Sequence, residues 1–184
     1  MMRIAFDYEV DDAVAYAQYC YGQSKIFQRG ITIVKWCFPV LSVLVLFFLG
    51  FLVKKSLVIV TGVIYLLVSV WWIWYIPGKM RKNSLKKARK KLMEQQHQNP
   101  IFFGNREMFF SEDGIRTVTQ ASDSTVKLSA VINVVKTDDY YFLFVSDIEA
   151  LVIPIQKIGE ENNRSLNVFL NTYFSSIFKE SHSC

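Results

Sequence analysis

Two uncharged apolar stretches, separated by a pair of lysines, limit what this chain can fold into. Residues 36–53 hold no charged side chain, and residues 57–76 hold none either. As helices they would be about 27 and 30 Å long, which matches a hydrocarbon core of about 30 Å. One unbroken helix over residues 31–76 would measure about 69 Å, more than twice that thickness. We therefore predict transmembrane helices at residues 31–53 and 57–76, with a reversal at Lys54-Lys55.

Two other interpretations of these stretches fit less well. A chain of 184 residues could not cover two such helices on all sides within a small soluble domain. A cleaved signal peptide opens with a basic segment, whereas residues 1–30 hold four acidic and three basic side chains. Neither stretch contains Asp, Glu, Arg or His. Proton relays and charged-substrate pathways need such groups at depth, so an autonomous transporter or channel is not expected.

The basic residues predict the orientation of this hairpin. Lys25, Arg29 and Lys35 lie before the first apolar stretch, and only Lys54 and Lys55 lie in the turn. Because basic residues favour the cytoplasmic side, both termini are expected there. Eight further basic residues follow the second stretch: Lys79, Arg81, Lys82, Lys86, Lys87, Arg89, Lys90 and Lys91.

The basic segment, residues 79–98, is predicted to form a juxtamembrane helix. Its apolar stripe is thin, with Leu85, Ala88 and Leu92 on one side. One interpretation is that its cations face anionic lipid headgroups. The other is that they act only as a topology signal on a solvated spacer. A polar run ending at Pro100 marks the boundary with the next segment.

Residues 101–184 have the short, turn-separated runs of a strand-rich domain. Acidic residues outnumber basic ones there, eleven to seven, so nucleic acid is not an expected partner. The tail has helical spacing, with Leu166, Phe169, Leu170, Tyr173, Phe174 and Ile177 on one face. We predict an α+β domain of pleckstrin-homology type, a bent antiparallel sheet or small barrel with a C-terminal helix. Its meander would have strands at residues 106–110, 115–120, 125–128, 131–136, 140–145 and 150–155.

The N-terminal segment, residues 1–30, is expected on the cytoplasmic side together with this domain. Residues 3–10 alternate as a strand does, with Ile4, Phe6, Tyr8 and Val10 on one face. Asp11-Asp12 could begin a helix that runs to Tyr21. We hypothesise that residues 3–10 add an edge strand to the domain.

Several short motifs resemble the YcxB-like family of bacterial membrane proteins. This chain departs from the family pattern at Leu128, where a tryptophan is frequent, and at Ile155, where a basic residue is frequent. The resemblance implies a bacterial plasma membrane protein with a cytoplasmic PH-like domain, and it specifies no chemistry. The motifs that carry it are Asp113-Gly114-Ile115, Leu128-Ser129-Ala130-Val131, residues 136–144 and Val152-Ile153-Pro154.

Catalytic motifs are missing from the sequence. The two histidines, His97 and His182, lie in the linker and near the C-terminus, where no packed site could orient a general base. Cys20, Cys37 and Cys184 show no metal-ligand spacing. We therefore expect no enzyme, no metal and no cofactor.

Two functional classes remain open. The first is a membrane-anchored, non-catalytic binding or regulatory module, whose domain recognises a protein or a lipid headgroup. The second is an accessory subunit of a larger transporter or membrane enzyme, contacted through the hairpin. The protein partner is not identifiable from the sequence.

Overall fold

The computed structural model describes residues 1–52, 55–98, 102–147 and 149–180. The chain divides into two compact units. We call Gln18–Ala88 the helical unit, and we call Met1–Ala17 together with Arg89–Cys184 the strand unit. The helical unit is thus an insertion, in sequence, between the first strand of the strand unit and the remaining ones.

Three helices follow the first strand in sequence, α1 (Val10–Gln23), α2 (Lys25–Leu52) and α3 (Lys55–Gln98), and the apolar stretches lie in α2 and α3. Within them, Lys25–Phe48 and Ile59–Gln98 are long and apolar enough to cross a membrane, by length and composition. Ser24 separates α1 from α2, and its Oγ accepts a hydrogen bond from Phe27 N at 3.2 Å. Lys54 of the predicted reversal at Lys54-Lys55 lies outside the described residues.

The basic segment, residues 79–98, is helical, and it belongs to the same helix as the second apolar stretch. Helix α3 continues without interruption from the second apolar stretch to Gln98, although Pro77 lies inside it. Proline removes one backbone hydrogen bond, but the Lys- and Arg-rich run after it favours helix.

Helices α2 and α3 meet along a polar and aromatic seam. Trp72 Nε1 donates to Val34 O at 3.3 Å, and the Phe38 ring stacks on Trp72 with centroids 5.2 Å apart. One turn further along, Ser42 is 5% exposed and donates to Phe38 O at 2.7 Å. The spacing of four residues from Val34 to Ser42 places these groups on one face of α2.

The first sheet contains β1 (Met2–Tyr8), β2 (Gly104–Phe110), β3 (Ile115–Val118) and β4 (Asp123–Val126), in that order and antiparallel. The expected pairing of the N-terminal strand is confirmed, with Ile4 opposite Met108 and Phe6 opposite Arg106. Ile4, Met108 and Ile115 face inward, while the alternate residues face outward.

The second sheet has the order β7-β6-β5-β8, with β5 at Asn133–Lys136, β6 at Tyr140–Phe144, β7 at Ala150–Pro154 and β8 at Phe178–Glu180. The expectation of a single six-strand meander is therefore wrong, because the strands form two sheets. A 3-10 turn, Leu128–Ala130, ends the run of strands after β4. Strand β8 was not predicted and pairs with β5 in parallel.

Two helices follow β7, namely α4 (Ile155–Ile158) and α5 (Glu160–Phe174). Leu166, Leu170 and Phe174 of α5 are buried in the core shared by the two sheets, as their spacing predicted. Two residues that were expected on this buried helical face do not belong to it: Tyr173 is 41% exposed, and Ile177 lies after the helix. The α+β layout of the strand unit is confirmed.

Helix α1 explains why both faces of β6 are buried. Tyr141 and Leu143 lie in the core between the sheets, whereas Phe142 and Phe144 point to the other face. The Tyr16 ring of α1 packs on those two rings, at centroid distances of 5.8 and 6.2 Å. The first turns of α1 therefore form an outer layer on the second sheet.

Candidate functional site

The eight basic residues singled out in the sequence all lie on α3, and all their side chains are exposed. At about 100° per residue, five of them lie within an arc of about 100° on the helix circumference. These five are Lys79, Lys82, Lys86, Arg89 and Lys90, and we call them the basic face. Leu85, Ala88 and Leu92, which lie outside this arc on the helix circumference, are half-buried. The basic face is an open surface and not an enclosed site.

Carboxylates neutralise only part of this charge among the described residues. Arg89 forms an ion pair with Asp11 at 3.0 Å, and Lys90 lies 3.9 Å from Glu94 one helical turn away. Lys79 lies over the Tyr75 ring, 5.3 Å from its centroid. Exposed pairs of this kind contribute about 0–1 kcal/mol each. The surface can therefore still attract anions.

A second cluster, which we call the Asp12 network, lies inside the strand unit. Lys157 Nζ donates to Asp12 Oδ2 at 2.8 Å, to Glu9 Oε2 at 3.0 Å and to Asp7 O at 3.0 Å. Tyr140 Oη donates to Asp12 Oδ1 at 3.2 Å. Asp12 also caps α1, because its Oδ2 accepts from Glu9 N at 2.8 Å. The network therefore joins the start of α1 to β6 and α4.

The electrostatics of this network follow from burial and pairing. Desolvation lowers the pKa of Lys157, but the hydrogen bonds to Asp12 and Glu9 outweigh it, so the net pKa is raised. Burial, with the Asp12 charge as the next cause, raises the pKa of Tyr140 to about 12. Lys157 is consequently a stable cation and Tyr140 a stable neutral donor at neutral pH. With these protonation states, Lys157 and Tyr140 can both donate to Asp12 and hold α1 against α4 and β6.

The third cluster lies on the inner face of the first sheet. The Arg106 guanidinium carbon lies 3.9 Å from the centroid of the Tyr8 ring, and Tyr8 stacks on Phe103 with centroids 6.1 Å apart. Burial lowers the pKa of Arg106 and raises the pKa of Tyr8. Arg106 Nε and Thr117 Oγ1 are both buried and have no hydrogen-bond partner among the described residues.

Sequence reasoning missed the last two clusters for the same reason. Asp12 and Lys157 are 145 positions apart, and Arg106 looked like an ordinary strand residue. One local signal was present, since Glu9 and Asp12 have the spacing of a capping box. That spacing predicts the start of α1, but it does not predict that Asp12 binds Lys157.

Across the residues that the structure describes, no group of three or more His, Cys, Asp or Glu side chains could hold a metal ion. His97 is exposed, with Nδ1 3.1 Å from Met93 O. Cys37 is exposed and Cys20 is half-buried, whereas His182 and Cys184 lie outside the described residues.

Comparison with known proteins identifies one family. The family described as YcxB-like protein matches residues 110–163, which run from the end of β2 into α5. The resemblance stated from the sequence motifs is therefore confirmed for this segment. No curated protein matches the chain, and no solved structure does so either.

Proposed function

We propose that this protein is a membrane-anchored, non-catalytic binding or regulatory module of the bacterial plasma membrane. One observation carries the proposal. In the helical unit, large apolar side chains such as Val43, Phe48 and Leu66 are 64–66% exposed. Monomeric soluble proteins rarely expose contiguous apolar surface of this kind, whereas helices of this length and composition suit a hydrocarbon core.

The distribution of charge supports an orientation with both termini in the cytoplasm. Basic residues precede α2 and occupy the last turns of α3, whereas the segment between the two apolar stretches holds only Lys54 and Lys55. In this orientation the basic face lies near the cytoplasmic leaflet. Each of its cations that reaches anionic headgroups would contribute about 1 kcal/mol of attraction.

Thiol labelling tests this topology. We expect Cys184, as the only cysteine in a Cys20→Ser/Cys37→Ser background, to resist a membrane-impermeant maleimide in intact cells and to react after permeabilisation. The matched control moves the thiol to the predicted turn, with Cys184→Ser and Ser56→Cys in the same background, and should react in intact cells. Modification of Cys184 from outside would contradict the proposed orientation.

The strand unit supplies the binding module in this proposal. Two four-stranded sheets with a buried C-terminal helix support a pleckstrin-homology-like fold. The chain enters the helical unit after β1 and leaves it before β2, so the module is connected to the anchor twice. Tethering of this kind raises the effective concentration toward other membrane partners to the order of mM. Specificity would reside in loops and exposed side chains and not in packed strands.

The exposed apolar surface of α2 and α3 also favours a second candidate, an accessory subunit contacted through the hairpin. Photo-crosslinking in intact membranes separates the two. A photoreactive residue at Val168 or Ile132, which are 67% and 51% exposed in the strand unit, should capture a protein or lipid partner if the module binds it. The matched positions Phe47 and Leu66 are 62% and 64% exposed in the helical unit. If a partner is captured only from Phe47 and Leu66, and not from Val168 or Ile132, the result would favour the accessory subunit.

A further inference from the structure

Arg106 and Thr117 place two unsatisfied polar groups on the inner face of one sheet. Inward-facing positions of β1 and β2 alternate with outward-facing ones, and Arg106 shares its face with Met108 and Phe110, which are each 1% exposed. Thr117 lies directly opposite Met108 and is 7% exposed. Arg106 is two residues from Met108, so it is a diagonal neighbour of Thr117. Such neighbours lie about 7–8 Å apart, within reach of a long side chain.

Each of these residues carries a hydrogen-bond donor, namely the Arg106 Nε–H and the Thr117 hydroxyl. Among the described residues, neither Arg106 Nε nor Thr117 Oγ1 has a hydrogen-bond partner. Buried polar groups are satisfied in the great majority of cases, and an unsatisfied one needs an explanation. The Tyr8 ring face lies against the guanidinium, but a ring face offers no lone pair in the guanidinium plane.

In the part of the chain that the structure describes, the nearby carboxylates leave Arg106 without a buried counter-ion of its own. Asp12 is the nearby buried carboxylate, and its two oxygens already accept from Lys157, Tyr140 and Glu9 N. The other acidic side chain of that network, Glu9, is 57% exposed, so solvent screens its charge. Asp12, which is buried, and Lys157 and Arg106, which are half-buried, therefore carry one net positive charge.

We propose that Arg106 and Thr117 bind an oxyanion at this end of the first sheet. A guanidinium presents planar donors that match an oxyanion, and the Thr117 hydroxyl supplies a further donor. The Tyr8 ring, which contacts the Arg106 guanidinium and stacks on Phe103, forms the aromatic wall. The oxyanion is either a free phosphate or the phosphate of a lipid headgroup. This inference deepens the proposed function, on which it rests, because it names the chemistry that the strand unit recognises.

The test observes the Arg106 side chain directly in the full-length protein. The protein, with nitrogen-15 in its arginine side chains, is kept in a nonionic detergent, and the Arg106 Nε–H signal is assigned from its loss in Arg106→Lys. Inorganic phosphate up to about 10 mM, enough to fill a millimolar site, should shift this signal saturably. The matched control is the Nε–H of Arg116, which faces outward on β3 and already donates to Asp123; it should not move.

Further experiments distinguish the two sources of the oxyanion and test the Thr117 hydroxyl as the second donor. Mixed micelles containing phosphatidylglycerol, in phosphate-free buffer, should shift the Arg106 signal if the natural ligand is a lipid headgroup, whereas a response to free phosphate alone indicates a soluble ligand. Thr117→Val preserves the side-chain shape and should weaken the apparent affinity at least fivefold. Sodium chloride at equal ionic strength should have no effect.

Two results would overturn the site. In the first, Arg106 Nε–H stays unchanged in both phosphate and lipid. In the second, all arginine signals move together with ionic strength. Either result would leave the thiol-labelling and crosslinking tests unaffected, so failure of this site and failure of the proposed function are distinguishable.

Discussion

Replacing Leu170 with alanine is expected to lower the free energy of unfolding of the strand unit by about 2–5 kcal/mol. Leu170 is 0% exposed, as is Leu166 one turn earlier in α5. Both pack in the core with residues of the two sheets, including Ile4 and Tyr141. Truncation removes buried methyl groups and leaves a cavity that this close-packed region can fill only in part.

The same helix offers the control for this prediction. Val168 is 67% exposed on the opposite side of α5, and Val168→Ala should change stability by less than about 0.5 kcal/mol. Urea titration with limited proteolysis, read by mass spectrometry for fragments within residues 102–180, reports this unit separately from the helical one. Equal urea midpoints for the two variants would mean that α5 is not the core helix of the fold.

Replacing Lys157 with methionine should have the second largest effect, lowering the free energy of unfolding of the strand unit by about 2–4 kcal/mol. The reason is that Asp12, 2% exposed, would remain buried without its cation. Breaking a fully buried ion pair on one side costs about 3–5 kcal/mol, and Lys157, 29% exposed, keeps some contact with solvent. Hydrogen exchange at the backbone amides of α1 and β6 should accelerate, because the network joins these elements.

A double variant and an exposed pair give the controls for Lys157. Asp12→Asn/Lys157→Met removes both charges and should recover part of the loss. Arg89→Met breaks only the exposed pair with Asp11 and should cost less than about 1 kcal/mol. A loss from Lys157→Met no larger than that from Arg89→Met would contradict a structural role for the Asp12 network.

The pH dependence of this contribution has a definite sign. Because the folded-state pKa of Lys157 is raised above 10.5, the contribution is fully present below that ordinary value. It is lost as the pH rises through the higher folded-state pKa. The stability difference between the wild type and Lys157→Met should therefore shrink in strongly alkaline buffer and stay constant near neutrality.

Local patterns in the sequence determined the main elements of the fold. The two apolar stretches predicted long helices because length and the lack of charge are properties of adjacent residues. Alternation in residues 3–10 predicted β1, and its addition to the strand-rich domain as an edge strand was hypothesised from the expectation that both lie on one side of the membrane. The spacing of Leu166, Leu170 and Phe174 predicted the buried stripe of α5. Each of these helices and strands, taken singly, can be detected within about 20 neighbouring residues.

The tertiary structure alone decided how distant segments combine. Two sheets form in place of one meander. Strand β8 pairs in parallel with β5 at a separation of 44 residues, and the three residues of β8 are too few to predict this pairing. The Asp12 network unites positions 145 apart, and the position of Arg106 beside Thr117 follows from the register of β2 on β3. Periodicity assigns a residue to a face of its own element. Which partner meets that face depends on the packing of the whole unit, because burial and charge pairing act through space and not along the chain.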